Sequence, residues 1–476
     1  MQGSDWRWAG ALGAVCCLLT AASPGATRLD FDTNPAAPDL VCPAPTARAI
    51  KPPAAAPRPR LNAEDVIAAL GAGASDAPPA PDPALLTHFR LDNANRPGRP
   101  LRLALWGDSH SAAGGIEAAL RRALSNHGLG SDQRAIAPTA GRAGVTLPFR
   151  KHCLVGKWRF EPLYLAGTAS APGGPGLANL HASGAGSEVW IDLRNSQRQS
   201  TMSELTLLYL PPDTEVALEV SVDGLAPRAL SLPAAVAGSV GPGRITLGTR
   251  KGGLSTVQIR VLRGPFRWQG AWLSPLQPQP VQLDVFAFPS ATVRGWARVD
   301  VDYLREALPP GGYDAVVMQY GTNEGNVETF DAHAYAMLLA AALGRLRAVF
   351  PDASCVLMGP TDRGVPLDQI PLPETGPPGR APMPGQTLAA LLRYSEIHRQ
   401  ITEIQTETAA RYRCAAWNWQ AFMGGRGGAY RWSQDSPRLM APDLIHLTQE
   451  GYRRSGSALA RWLGWHDPGP APPDPR

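Results

Sequence analysis

Charge is sparse in this sequence. Only 18% of its 476 residues are charged, and the net charge is +5. No Lys/Arg run of five or more occurs. A nucleic-acid groove needs a basic stripe, so no nucleic-acid partner is expected. There is no C-x-x-C, and the nine histidines show no H-E-x-x-H spacing. Neither a metal site nor a cofactor is therefore expected. Glycine (49) and proline (48) are plentiful but show no G-X-Y period, which excludes a collagen-like chain. No internal repeat of about 20–50 residues is visible. The length, at about 150 residues per domain, suggests two or three domains.

Long apolar runs are also lacking, apart from one. Arg7 precedes Ala9 to Ala22, a run of signal-peptide length that is too short to span a bilayer comfortably. Cleavage is expected after Ala22 or Ala26, within a leader segment taken as 1–26. Cys16 and Cys17 suggest a lipoprotein, but Val15 spoils the small-residue box. The expectation is a secreted or periplasmic protein of a bacterial cell envelope, with no stable membrane insertion after cleavage. Four cysteines then remain: Cys42, Cys153, Cys355 and Cys414. Four allow three pairings, and export favours disulfides. Cys355 and Cys414 each sit early in an apolar run (CVLMGP, CAAWNW) that reads as one of two neighbouring strands. That pair is favoured, with Cys42–Cys153 as the other.

Residues 27–96 form a Pro/Ala-rich segment with one short helix at Asn62–Leu70. From Leu101 the character changes. LRLALW reads as a buried strand, followed by a helix with Ile116, Leu120, Ala123 and Leu124 on one face and Gly128 as its stop. Between about 150 and 285 no helix is expected. There Val216, Leu218, Val220 and Val222 alternate with polar or small residues, and Asp223-Gly224 marks a hairpin. After 285, strands (Ala315–Gln319, Val356–Met358, 414–418) alternate with helices (330–349, 388–411, 449–463), around a Pro-rich loop at 362–386. That alternation argues a parallel doubly wound sheet. The expected division is 97–150 and 285–466 for one α/β domain, 151–284 for an inserted antiparallel β-sandwich, and 467–476 for a Pro-rich tail.

Three short blocks carry chemistry. Gly107-Asp108-Ser109-His110 sits where a strand ends and a helix begins, so the Ser109 hydroxyl falls at the carboxyl edge of the sheet. Its N–H lies near a helix N-terminus, which favours a developing negative charge. Gly321-Thr322-Asn323-Glu324 follows another strand, and Asn323 can aim its amide at an oxyanion. In Asp443-Leu444-Ile445-His446, a spacing of three lets a carboxylate reach the imidazole Nδ1–H and leaves Nε2 free as a base. Each block alone also reads as an ordinary turn or cap.

Together, GDSH (107–110), GTNE (321–324) and DLIH (443–446) resemble the SGNH (GDSL-type) hydrolase family, whose blocks are GDS, GxND or GxNE, and DxxH. The resemblance covers about 97–150 and 285–466. It implies a flavodoxin-like doubly wound sheet, with Ser109 as nucleophile, His446 as general base and Asp443 as its orienter. It implies an oxyanion hole from the Ser109 N–H, the Asn323 side chain and one further N–H from a glycine block. Here the sequence departs from the family. The best match is Phe288-Pro289-Ser290-Ala291-Thr292, with Ser290 where glycine is usual; Gly141 and Gly144 are rivals.

A β-insert behind a signal peptide, and the block WNWQAFMGGRGGAYRW (417–432), are similar to the periplasmic peptidoglycan O-acetylesterases of this class. The implied partner is an acetylated polysaccharide. Trp158, Trp190, Trp268 and Trp272 are candidates for stacking on sugar, although such tryptophans are more often core. His110 stands equally between substrate contact and packing, and Glu324 reads as an orienter of loops. Hydrolysis competes with two alternatives: O-acetyl transfer to an envelope or extracellular polysaccharide, and glycan binding without catalysis.

Overall fold

The computed structural model describes residues 26–32, 37–42, 63–71, 78–96, 98–165, 171–236, 238, 240–369 and 385–466. Nearly all of the expected leader, the core of the Pro-rich loop and the tail lie outside the described residues. No helix among the described residues is long and apolar enough to cross a membrane.

At the centre lies a six-stranded sheet whose paired strands all run parallel. Its order is Ala415–Trp417, Ser354–Met358, Ala315–Gln319, Leu101–Gly107, Val281–Ala287 and Ser131–Asp132. Three of these strands, Val281–Ala287, Ala315–Gln319 and Ser354–Met358, are buried at every position. A sheet covered on both faces needs such apolar runs. Alternate residues feed opposite faces. Leu103, Leu105, Val317 and Val356 join one core cluster with helices Gly115–Asn126 and Gln449–Trp462. Ala104, Trp106, Val316, Met318 and Leu357 join the other, with helix Ala332–Val349. The protein is thus a mixed α/β structure with a doubly covered parallel sheet.

Two further sheets share a third core, which takes in Leu205, Val216, Leu218, Val220, Val222 and Ile259. One has seven strands and the other five. Strand Val216–Val222 alternates strictly between buried and half-buried positions, as a one-sided sheet requires. It pairs with Arg228–Leu232 across Asp223 and Gly224, both of which have positive φ (53° and 72°). The Asp223 side chain accepts the N–H groups of Ser255 and Thr256, tying this hairpin to the next strand.

Several boundaries differ from the sequence expectation. Ala26–Phe31 is a strand that pairs in parallel with Gly243–Thr249, where a leader end and a Pro/Ala segment were expected. Pro83–Phe89 forms a 3-10 helix packed into the central core through Leu86 and Phe89. Ala135–Ile136 already pairs with Phe266–Pro275, so the chain leaves the parallel sheet well before 151. Buried Asp284 holds that crossing, because its Oδ1 accepts the N–H groups of Arg134 (2.7 Å) and Ala135 (2.9 Å). Disulfides join Cys42 to Cys153 and Cys355 to Cys414, the favoured pairing. Trp268 is fully buried and is core, not a sugar platform. Trp272 packs on Phe286, while Trp158 and Trp190 are half-buried.

Candidate active site

Strand order reverses at Leu101–Gly107, which has Val281–Ala287 on one side and Ala315–Gln319 on the other. A crevice forms at the carboxyl end of a strand in that position. Ser109 lies there, at the start of helix Ser109–Ala112. Asp108 caps this helix by accepting the His110 N–H at 2.9 Å. Gly107 has no room for a side chain, since a Cβ would fall 2.5 Å from Ser111 Oγ and 2.9 Å from Gln319 Oε1. Gln319 Oε1 in turn accepts from the Asp108 N–H and the Ser111 hydroxyl. The serine turn is therefore fixed to the neighbouring strand.

His446 reaches it from the turn before the last described helix. Its Nε2 is 3.0 Å from Ser109 Oγ, and its Nδ1 is 2.7 Å from Asp443 Oδ2. An ionised carboxylate only accepts, so Nδ1 carries the proton and Nε2 is left to accept the Ser109 hydroxyl. Asp443 Oδ1 also accepts the N–H groups of Ile445 and His446, while Leu444 takes a left-handed φ of 55° to close the turn. Burial opposes ionisation of Asp443. Hydrogen bonds from the His446 ring and the two backbone N–H groups outweigh it and hold the carboxyl well below the usual carboxylate range. The bond to Asp443 raises the His446 pKa against the opposing effect of burial.

Asn323 lies in the turn after Ala315–Gln319. Its amide Nδ2 donates to the Ala291 carbonyl at 2.9 Å. Glu324 ties the same two segments together: one carboxylate oxygen accepts the Val293 N–H at 2.7 Å and the other the Gly321 N–H at 3.0 Å. Burial pushes this carboxyl up to about 7. Glu324 orients loops, as the sequence suggested. Ser290, one residue before Ala291, has a φ of 69°, a left-handed conformation usually left to glycine. The structure thus brings Ser290 into the segment that Asn323 and Glu324 hold. Gly144 faces Pro289 of that segment, and Gly141 faces Leu154.

His110 is fully buried, with its ring 5.4 Å from those of both His446 and Trp419 and its Nδ1 3.2 Å from the Tyr452 hydroxyl. Burial lowers its pKa to about 3, so it is a neutral packing partner of His446. A cleft of about 570 Å³ opens beside Asn323 and Glu324, walled by Tyr164, Phe330 and Leu338. Among the described residues no cluster of His, Cys, Asp and Glu could hold a metal ion.

Sequence reasoning missed three buried groups around the site. Asp362 accepts from Ser395, Gln420 and the Ala429 N–H, and so anchors the loop after Ser354–Met358. His398 holds the Thr361 carbonyl through Nδ1 at 2.7 Å. Arg363 bonds Asn326 Oδ1 at 3.1 Å. All three depend on long-range contacts, and two of them fall in what read only as a Pro-rich loop.

Residues 248–454 match the GDSL-like lipase/acylhydrolase family. The match takes in Asn323, Asp443 and His446 and begins after Ser109. Among solved structures, a peptidoglycan O-acetylesterase matches with a TM-score of 0.54 at 19% identity, over 80% of this chain and 95% of that one. A family 2 carbohydrate esterase with a carbohydrate-binding domain, from Corynascus thermopiles (Myceliophthora fergusii), matches over 65% of this chain and 100% of that one, at 15% identity. Its TM-score is 0.26. No curated protein matches the sequence. The chain thus carries a GDSL-like lipase/acylhydrolase domain at 248–454, in a fold similar to that of a peptidoglycan O-acetylesterase, and these two likenesses mark it as an esterase.

Proposed function

We propose that this protein is an exported serine esterase that removes O-acyl groups, acetyl foremost, from a polysaccharide such as peptidoglycan. The observation that carries this reading is the hydrogen-bonded chain from Ser109 Oγ through His446 to Asp443. Ser109 Oγ attacks the acyl carbonyl while His446 Nε2 takes its proton. The sugar alkoxide leaves with that proton, and the acyl group stays on Ser109. His446 Nε2 then takes a proton from water as its oxygen attacks the acyl-serine carbonyl; the C–Oγ bond breaks, the acid leaves, and the proton returns from His446 to Ser109 Oγ. The oxyanion is met by the Ser109 N–H, the Asn323 amide and the N–H of Ser290.

Exposure favours hydrolysis over transfer to a second sugar. The side chains of His446 and Asp443 are 41% and 47% exposed, so water reaches the base freely. We read the two outer sheets as an inserted β-sandwich whose Tyr164 lines the cleft beside Asn323. In this reading the insert shapes the substrate groove. The peptidoglycan substrate is suggested by the O-acetylesterase of like fold, and a secreted or periplasmic location by the N-terminal apolar run and the two disulfides. The test is acetate release by the purified protein from p-nitrophenyl acetate, O-acetylated peptidoglycan and acetylated xylan. Binding of these glycans without any acetate release would refute the hydrolase reading.

A further inference from the structure

Arg363 lies five residues beyond the Ser354–Met358 strand, at the same sheet edge as Ser109 and Asn323. It bridges the two turns that carry the site. Asn326, which accepts its Nη1–H, donates its own N–H to the Asn323 carbonyl at 3.2 Å. The next residue, Gly364, donates its N–H to the Leu444 carbonyl at 3.0 Å, between Asp443 and His446. The charge of Arg363 is felt by both Asp443 and His446.

This cation is only 8% exposed, yet it has no ion-pair partner among the described residues. Its Nε is buried with no acceptor. The nearby carboxylate of Asp443 is committed to the His446 ring and two backbone N–H groups. The guanidinium carbon sits 3.9 Å from the centroid of the Tyr394 ring, which fixes the plane of the fork. Arg393 adds a second positive charge over the same ring, at 4.5 Å. A buried unpaired charge is costly. A rigid guanidinium with free donors is the geometry that receives a carboxylate.

We propose that Arg363 is an anion-recognition subsite beside Ser109 and His446, and that the esterase acts on a glycan bearing a carboxylate close to the acyl ester. The substrate part of this proposal rests on the hydrolase reading above; the anion site does not. Two measurements on the intact protein separate them.

In the first, calorimetry compares binding of an unesterified oligoglucuronate with that of a neutral oligosaccharide of equal length. Wild type should bind the anionic oligomer more tightly, and Arg363→Gln should abolish the preference. In the second, kcat/KM is compared for an O-acetylated oligouronate and an acetylated xylo-oligosaccharide. Arg363→Gln should lower the anionic-to-neutral ratio by about tenfold or more, the size of one charge-assisted hydrogen bond. Arg363→Lys, which keeps the charge and loses the fork, should fall between.

A wild type with no preference for the anionic oligomer overturns the proposal, and this outcome needs no variant to fold. An unchanged ratio in Arg363→Gln overturns it too. Absence of acetate release from every ester, p-nitrophenyl acetate included, would instead count against the hydrolase reading. The binding comparison would still decide the subsite.

Discussion

Ser109 Oγ and His446 Nε2 meet at 3.0 Å although 337 residues of chain separate them. Between them the chain leaves the parallel sheet, builds two other sheets and returns by way of Val281–Ala287. The meeting point is held from both sides. Gln319 fixes the serine turn, and Asp443 fixes the histidine ring.

Residues that act as a unit should fail severely when removed one at a time. Ser109→Ala and His446→Ala should each lower kcat about 10³-fold or more. Asp443→Ala should cost less, because it orients and stabilises without exchanging the acyl group. Acetate release from p-nitrophenyl acetate, with circular dichroism to confirm folding, checks this. Near wild-type turnover by folded Ser109→Ala would remove the nucleophile assignment.

Asn323→Ala should lower kcat by about 10²–10³ with little change in KM, as loss of one oxyanion donor does. Steady-state kinetics separate this from substrate positioning, which would appear in KM alone.

Glu324 makes a different demand. Its two oxygens each accept one backbone N–H, from Val293 and Gly321. An amide has a single acceptor oxygen, so Glu324→Gln leaves one N–H facing an NH₂ group. The expected cost is about 1–3 kcal/mol of stability. A fall in kcat should accompany it, because the segment from Ser290 to Val293 loses its tie. Thermal melts and kinetics on the same samples test both effects.

The pH profile follows from the sign of the His446 shift. The base must be neutral to accept the Ser109 proton, and Asp443 raises its pKa. Rate should therefore fall with decreasing pH through a value above about 6.5, the ordinary imidazole value. Asp443→Asn removes the anion that stabilises imidazolium, so the limb should move to lower pH while kcat drops. An EDTA control should leave the rate unchanged, and a serine-directed phosphonate should abolish it with one label on Ser109. A limb that stays in place in Asp443→Asn would mean that another group sets it.

Much of this fold was legible because its signals are local. The apolar run at Ala315–Gln319 and the two-residue period at Val216–Val222 identify their strands without any partner. Ser109, Asn323, Asp443 and His446 were legible because each lies in a short block at a strand end or helix entry. Arg228–Leu232, the second strand of the Asp223-Gly224 hairpin, carries little signal of its own because its alternation is weak and it is mostly exposed. Ala26–Phe31 was masked by its position beside a leader-like run, and its strand character comes from pairing with Gly243–Thr249. Asp362, Arg363 and His398 owe their roles to neighbours that only folding supplies, such as Gln420, Tyr394 and the Thr361 carbonyl.

The distance along the chain between Ser109 and His446 has a consequence for biogenesis. The ribosome makes the proposed nucleophile early and its base 337 residues later. Until the turn at 443–446 folds onto the helix of Ser109, that hydroxyl is an ordinary alcohol with no group to take its proton. On the proposed mechanism, a nascent or unfolded chain is inert toward every ester it meets. Activity on that mechanism appears only once the fold is complete.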